Sequence, residues 1–325
     1  MRETTKKWLI TAACLMAAGL ILLIGASSAS TWDFTRFSTV QYEMNTYAPR
    51  GKFDSISINV DTAKIELVPS DDGKCRVDCY EAEKVKLSVT VENETLAIKT
   101  VDTRAWYEHI GIFVGTAPKM TVYLPQEAYA SLSIDTATGD VTIPKDFTFE
   151  NIKIRGNTAD IECLAPVSHV VEMRTDTGDI MINDLYAGEL HLASNTGSIH
   201  VNSVISRGII DVETDTGYVK LTDVDCAELT AESDTGTITL TNVVALGRFL
   251  IENDTGDVRF DNSDAAEISV KTDTGDVTGT LLSEKVFITE SDTGRINVPK
   301  SITGGRCEIE TETGDIKIET LNKSP

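Results

Sequence analysis

Acidic side chains recur on both sides of a repeated glycine, and carboxylates at fixed spacing can bind cations or act as acid and base. Two residues before the glycine stand Asp176, Asn195, Asp215, Asp234, Asp254, Asp273, Asp292 and Glu312. One residue after it stand Asp140, Asp160, Asp179, Asp257, Asp276 and Asp315. Calcium accepts carboxylate oxygens with flexible geometry, and paired carboxylates hydrolyse glycosidic bonds. Both kinds of chemistry are therefore open at the outset.

Two adjacent repeats form the best candidate for a calcium site, with Asp254 and Asp257 beside Asp273 and Asp276. The column after the glycine is interrupted, however, by Ser198, Tyr218, Thr237 and Arg295. A positively charged arginine opposes a cation ladder, and the nine-residue glycine-rich calcium repeat is absent. Calcium binding therefore stays a subsidiary hypothesis, and we expect no other cofactor.

An enzyme active site is not predicted. The carboxylates are spread evenly through the repeats, and no unit is singled out. The four histidines, His109, His169, His191 and His200, have no triad-like or metal-like spacing, and His191 and His200 are expected to face solvent. The sequence also lacks a nucleophile elbow, a phosphate-binding loop and an HExxH motif.

The repeated glycine defines a period of 19 or 20 residues, which is typical of a solenoid. The repeat glycines are Gly139, Gly178, Gly197, Gly217, Gly236, Gly256, Gly275, Gly294 and Gly314, and Ala159 fills the same slot once. Apolar residues alternate with period two on each side of the glycine, which predicts strands buried on one face. A further apolar position, seven residues after the glycine, is expected to line the core from a third side.

These patterns predict an all-β, right-handed parallel β-solenoid of about ten coils, from Ala130 to Thr320. Two packed sheets and a three-sided coil both fit this period. The Asp-Thr-Gly segment is interpreted as a corner, because glycine adopts positive φ and Asp accepts backbone N–H groups at turns.

The upstream residues 51–129 are predicted to be a β-rich cap for the N-terminal end of the stack. Within them, "DTAKIELV" resembles a degenerate unit with Ala63 in the glycine slot. The loop "WYEHIGIFVG", with Trp106, Tyr107 and Phe113, is either a partner-binding tip or a cover over the core end. Residues 31–50 are read as a juxtamembrane spacer and residues 321–325 as a tail.

Residues 1–30 are predicted to be a membrane anchor or a signal. No charge occurs from Trp8 to Trp32, and a helix over Trp8–Ala29 spans about 33 Å, enough to cross a bilayer. Arg2, Lys6 and Lys7 precede it, so we expect a cytoplasmic N-terminus and an extracellular C-terminal domain. Cleavage after Ala29 is the alternative.

The exported part is strongly acidic. Three of the 29 Lys and Arg residues and one of the 51 Asp and Glu residues lie before residue 31, which leaves a net charge of −24. Such a surface excludes nucleic acid as a partner. The cysteines after the anchor are odd in number and are interpreted as small buried apolar residues: Cys75, Cys79, Cys163, Cys226 and Cys307.

The chain resembles the bacterial β-strand-repeat proteins labelled "putative adhesin", a domain of unknown function. Four features carry the resemblance: one N-terminal apolar segment, the stretch "FDSISINVDTAKIELVPSDDG", the stretch "MTVYLP" and the tandem "TDTGDI"-type units. The resemblance covers about residues 50–320. It implies a β-solenoid at the envelope of a Gram-positive bacterium, and it transfers no catalytic residues. Ala159, Tyr218 and Arg295 depart from the family pattern, and no sorting signal follows "IKIETLNKSP".

The leading hypothesis is thus a membrane-anchored, non-catalytic surface solenoid that binds envelope or extracellular components. The alternative is a structural or regulatory partner of another membrane protein in the envelope stress response, acting through residues 31–129. A calcium-stabilised scaffold and a polysaccharide-active enzyme rank below these.

Overall fold

The computed structural model describes residues 42–105 and 118–321, together with the isolated helical positions 12, 15, 16, 18 and 19. Most of the predicted membrane segment, the loop Trp106–Gly115 and the tail after residue 321 lie outside the described residues. Among the residues that are described, no helix combines the length and apolarity of a membrane span.

The described chain folds into β-strands connected by short corners. Their bounds are β1 Tyr42–Tyr47, β2 Ser55–Thr62, β3 Lys64–Pro69, β4 Arg76–Ala82, β5 Val85–Glu92, β6 Thr95–Asp102, β7 Lys119–Leu124, β8 Ala128–Thr138, β9 Val141–Ile143, β10 Thr148–Thr158, β11 Ile161–Cys163, β12 Val167–Thr177, β13 Ile180–Asn183, β14 Tyr186–Ala187, β15 Glu189–Thr196, β16 Ile199–Ser206, β17 Ile209–Thr216, β18 Val219–Cys226, β19 Glu228–Thr235, β20 Ile238–Thr255, β21 Val258–Thr274, β22 Val277–Leu281, β23 Lys285–Thr293, β24 Ile296–Asn297, β25 Gly305–Thr313 and β26 Ile316–Thr320.

Neighbouring coils pair in parallel with equivalent positions aligned. Before the glycine corner, Ile210 of β17 lies between Leu190 of β15 and Leu229 of β19. After the corner, β18 pairs in the same way with β16 and β20. The predicted parallel β-solenoid is confirmed, and each coil satisfies its backbone hydrogen bonds through its neighbours.

The core consists of aligned aliphatic rows. In the coil that contains Gly217, four side chains have 0% exposure, namely Ile210, Val212, Val219 and Leu221. Burying an aliphatic side chain of this size contributes about 1.5–3 kcal/mol. Because every coil repeats these positions, the rows supply most of the driving force for stacking.

A second corner lies six residues after the glycine. The backbone there is left-handed at Asp184, Ser203, Asp223, Asn242 and Asn262, with φ between 52° and 54°. Asp and Asn tolerate this conformation because their side chains hydrogen-bond locally. The next residue points inward and is buried, as at Val204 and Val224. These coils therefore have the predicted third inward-facing segment, which favours the three-sided arrangement.

The solenoid begins earlier than predicted. Strands β2 and β3, assigned from the sequence to the cap, form a coil that pairs with β8 and β9. Ala63 takes the glycine slot, and its N–H donates to the Thr138 carbonyl at 3.0 Å. The sequence identified Ala63 as a degenerate corner, but the unit was assigned to the cap because the long insertion after Pro69 breaks the 20-residue period.

The N-terminal end of the stack is covered by strands outside the repeat. Strand β6 pairs with the edge of β2 that faces away from the stack. Strand β7 pairs in the same way with β3. Strand β4 then runs antiparallel to β7 and pairs with β1. Residues 42–47, predicted to be spacer, are therefore part of the sheet.

The last two coils are stacked in exchanged order, which the sequence did not predict. Strand β25 pairs on one side with β21 and on the other with β23. Likewise β26 lies between β22 and β24. The coil of Gly314, last in the chain, is thus inserted beneath the coil of Gly294, which forms the end of the stack.

Candidate functional site

The corner at Gly256 requires glycine for two reasons. Gly256 has φ of 143°, a conformation that L side chains oppose. A Cβ on Gly256 would also lie 1.9 Å from the carbonyl oxygen of Gly236 in the neighbouring coil. Successive corners are therefore in direct backbone contact, and the glycine column is architectural.

A column of buried hydroxyls stands three residues before the corner, and sequence reasoning missed it. Ser194 Oγ donates to the Gly178 carbonyl and Thr214 Oγ1 to the Gly197 carbonyl, both at 2.9 Å. Each of these two hydroxyls thus bonds to the corner carbonyl of the neighbouring coil. The signal was the near-invariant Thr or Ser at this position among the repeats.

The carboxylate after the glycine also connects coils. Asp160 Oδ1 accepts the N–H of Asp179 at 2.8 Å, and Asp179 Oδ1 accepts the N–H of Ser198 at 2.7 Å. Asp315 Oδ1 accepts the N–H of Arg295 at 2.8 Å, and this bond is the main reason the pKa of Asp315 is lowered. The predicted hydrogen-bonding role is right, but the acceptor serves the adjacent coil rather than its own turn.

The predicted calcium candidates are divided between two positions. Asp257 Oδ1 accepts the N–H of Asp276 at 3.1 Å, while Asp257 Oδ2 accepts the Arg259 guanidinium at 2.8 Å. Asp254 and Asp273 lie in the exposed column before the glycine. In the described part of the chain, no group of three or more His, Cys, Asp or Glu side chains is placed to hold a metal ion. The four residues therefore do not converge on one point.

The outer face of the sheet before the corner carries a continuous acidic patch. Glu213, Glu232 and Glu252 are direct partners on three adjacent coils. We call this surface the acidic face, and it comprises Asp211, Glu213, Asp215, Glu232, Asp234, Glu252 and Asp254. The pKa of Glu232 is raised, first by partial burial and then by the neighbouring carboxylates of Glu252 and Glu213.

The same outer face is basic nearer the N-terminal end. Lys153 and Arg155 of β10 and Arg174 of β12 lie there, and Arg155 is the direct partner of Arg174. Glu172 binds Lys153 at 2.5 Å and Arg155 at 3.5 Å. The Lys153 hydrogen bond lowers the pKa of Glu172. Charge is thus segregated along the stack, with the unbalanced carboxylates in the coils of Gly217 to Gly256.

Among the residues that the structure describes, the histidines and cysteines show no catalytic arrangement. His191 is partly exposed, with Nδ1 3.3 Å from Asp211 Oδ2 and Nε2 3.7 Å from Glu189 Oε2. The Asp211 contact lies across coils and the Glu189 contact lies within β15, and neither was predicted. The five cysteines after the anchor are free and buried, as predicted. Burial raises the pKa of the Cys163 and Cys307 thiols to about 12.

A large cleft opens beside the N-terminal coil, with a volume of about 1110 Å³. It is lined by residues 48–54 and 70–76, and by Glu94, Tyr123, Pro125, Glu127 and Tyr129. Its wall has mixed charge, with the basic residues Arg50, Lys52, Lys74 and Arg76 and the acidic residues Asp54, Asp71, Asp72, Glu94 and Glu127. Arg76 stacks over the Tyr123 ring at 3.9 Å, which fixes the orientation of that part of the wall.

The fold and these surfaces define a parallel β-solenoid scaffold with charged outer faces. The chain belongs to the Toastrack DUF4097 family, whose sequence model matches residues 53–217 and 207–324. This confirms the resemblance seen in the sequence. No curated protein matches the chain.

Solved structures are similar to this chain. A putative adhesin from Parabacteroides distasonis superposes with a TM-score of 0.52 at 11% identity, covering 84% of this chain and 98% of that one. A putative lipid binding protein from the same species has a TM-score of 0.48 at 15% identity, with coverages of 87% and 98%. A putative adhesin from Bacteroides fragilis has a TM-score of 0.44 at 14% identity, with coverages of 86% and 97%.

Proposed function

We propose that this protein is a non-catalytic cell-surface β-solenoid that binds envelope or extracellular components in the manner of an adhesin. The observation that carries the proposal is the acidic face, where the carboxylates of Glu213, Glu232 and Glu252 stack outward on three adjacent coils. Lys271 follows Glu252 as the next partner and bounds this row of carboxylates. A regular row of like charges on a rigid scaffold matches a cationic polymer or a basic protein surface.

Electrostatics supports a cationic ligand. Unit charges one strand spacing apart repel by about 1 kcal/mol per pair in water, and less in salt. The raised pKa of Glu232 reflects this repulsion together with partial burial. A ligand with amino groups at similar spacing would remove the repulsion and gain steering from the surrounding field. The described residues thus suit binding better than acid–base chemistry, since no pair of carboxylates is singled out.

The proposal includes attachment through the apolar segment Trp8–Ala29 as a single-pass anchor. Its length and the basic residues before it support a cytoplasmic N-terminus and an extracellular solenoid. A right-handed coil path is part of the same proposal, because crossovers between parallel strands are nearly always right-handed.

The test is co-sedimentation of the full chain with envelopes of the source cells, in chelator and then in calcium. Replacing Glu213, Glu232 and Glu252 by Gln should abolish most binding. The matched control replaces three exposed glutamates elsewhere, Glu127, Glu150 and Glu319, and should bind as the wild type does. Equal binding by both triple variants would exclude the acidic face, and no binding by the wild type would exclude adhesion.

The alternative function is a partner of another membrane protein in the envelope stress response. The cleft beside the N-terminal coil favours it, because the cleft is large and lies within the N-terminal region to which this alternative assigns the contact. Deletion of the loop Trp106–Gly115, which contains Tyr107 and Phe113, separates the two functions. Loss of a co-purifying membrane protein with intact envelope binding would support the alternative, and retention of that protein would count against it.

A further inference from the structure

The C-terminal end of the stack is left open, in contrast to the covered N-terminal end. Strand β23 pairs with β25 along one edge, and in the described part of the chain no register joins its other edge to a second strand. Strand β24 likewise pairs with β26 alone. A nine-residue edge with unpaired backbone groups is a template for another strand.

Inward-facing apolar residues are exposed at this end. Ile296 has 44% exposure, while its equivalents Val277 and Ile316 have 0%. Phe287 and Val298 of the same coil are only partly buried. The rows that form the core elsewhere therefore end in a surface made of the same side chains, and this surface is shaped to receive one more layer.

The end coil differs from the body in charge. Residues 282–304 contain Glu284, Glu290, Asp292, Lys285, Arg295 and Lys300. Lys285 is buried, so the exposed charges of this coil are three acidic and two basic. The full chain has a net charge of −22. Two acidic bodies repel each other generally, but two nearly neutral ends can meet. Because the coil carries both signs of charge, acidic residues of one copy can lie opposite basic residues of a second copy in reversed orientation.

We propose that the C-terminal end of the stack is a self-association surface, on which two copies meet across a two-fold axis. Their β23 strands pair antiparallel, because a two-fold axis reverses the strand direction. Thr289 lies at the middle of β23, so a centred pairing places it opposite its counterpart. The interface closes after two copies, because the other end of each stack is covered.

The mass of the full chain tests the proposal. The protein is extracted in a mild non-ionic detergent and its oligomeric state is measured by light scattering after gel filtration. We expect a protein mass of twice the 35.3 kDa chain mass. Ile296→Glu places two new charges in the interface and should convert the dimer to a monomer.

The matched control is Ile205→Glu, since Ile205 is also 44% exposed but lies on the side of the stack. It should remain dimeric. A monomeric wild type, equal dissociation of both variants, or assemblies that grow beyond two copies would overturn the proposal.

A crosslinking experiment keeps the proposal testable if Ile296→Glu folds poorly. Thr289→Cys, in a background with Cys14 replaced by Ser, should form an intermolecular disulfide under mild oxidation. The five described native cysteines are buried and will not compete. Tyr186→Cys, on an exposed side position, serves as control. Failure of Thr289→Cys to crosslink above this control would contradict the two-fold arrangement.

Discussion

Lys285 and Asp264 form an ion pair across two layers of the stack, with Nζ 2.6 Å from Oδ1 and side-chain exposures of 3% and 13%. Lys285 belongs to the end coil, whereas Asp264 lies in β21. The intervening position is Gly305, the direct partner of Lys285. The lysine also donates to the Ala265 carbonyl at 2.6 Å. It thus ties the exchanged end coil to the body of the solenoid.

Removing this lysine should loosen the C-terminal end. Lys285→Met leaves Asp264 without its cation in a buried setting, and breaking one partner of a buried pair costs about 3–5 kcal/mol. Denaturant unfolding should show this loss, and limited proteolysis should cut first within residues 282–321. Lys317→Met is the control, because its ion pair is exposed. A similar loss of stability in both variants would contradict the conclusion that the Lys285–Asp264 ion pair holds the end coil to the body of the solenoid.

The corner glycine can be tested by separating backbone strain from steric overlap. Gly256→Ala introduces both, and it should lower the melting temperature strongly or prevent folding. Gly73→Ala introduces the strain alone, since its φ is 68° and no heavy atom lies within 4 Å of the added Cβ. The strain costs roughly 1–2 kcal/mol. Equal destabilisation by the two substitutions would show that contact between corners has no energetic role.

The buried hydroxyl column gives a paired test with isosteric substitutions. Thr214→Val removes the donor to the Gly197 carbonyl and should cost about 1–3 kcal/mol, because a buried acceptor is left unsatisfied. Thr272→Val should be neutral or stabilising, since the Thr272 hydroxyl is buried without a partner. Thermal denaturation of the two variants measures the difference. A Thr272→Val protein as unstable as Thr214→Val would contradict this account.

The acidic face should make stability depend on pH in a predictable direction. The pKa of Glu232 is raised in the folded state, so its ionisation opposes folding once the pH exceeds the unfolded pKa. Glu232→Gln should therefore raise the melting temperature near pH 7, and the gain should vanish at acidic pH.

The opposite sign is expected at Glu172, whose pKa is lowered. Its ionised form stabilises the fold above the unfolded pKa, and this contribution is lost as the pH falls through the folded pKa. Glu172→Gln should lower the melting temperature near pH 7. Shifts of the same sign in the two variants would refute the electrostatic assignment.

Calcium should leave the stability unchanged. The Asp column after the glycine is occupied by backbone N–H donors of neighbouring coils, so a cation would have to displace hydrogen bonds that already exist. The melting temperature should therefore be equal in chelator and in millimolar calcium. A calcium-dependent rise that disappears in Asp257→Asn would restore the metal hypothesis.

The repeat made much of the architecture predictable. Period-two alternation on both sides of the glycine identified the inward rows, and even Ala63 was recognised as a degenerate corner. The buried hydroxyls were missed because Thr and Ser before the corner look like ordinary turn residues. Their partner is a carbonyl of another coil, and local sequence does not show that partner.

The exchange of the last two coils was beyond sequence reasoning for a physical reason. Units with equivalent rows pair equally well in either order, so the rows do not encode which coil lies next. The last two coils differ from the others in their connection. The loop after Val298 begins with a proline and ends at Gly304 and Gly305. Of the acidic face, Asp215, Asp234 and Asp254 were identified in the column before the glycine. The row of Glu213, Glu232 and Glu252 was missed, because its continuity depends on the register between coils.

The exchanged order has a consequence for synthesis. Residues Gly305–Thr320 are synthesised after the end coil but become an internal layer, while residues made before them form the outer end. A chain that stops before this segment would not be a solenoid that is one layer shorter. Lys285 would reach toward Asp264 across an empty gap, and the end coil would have no strand beneath it. Synthesis of this segment is thus coupled to closure of the stack, so products that lack it would be exposed to proteolysis at this end.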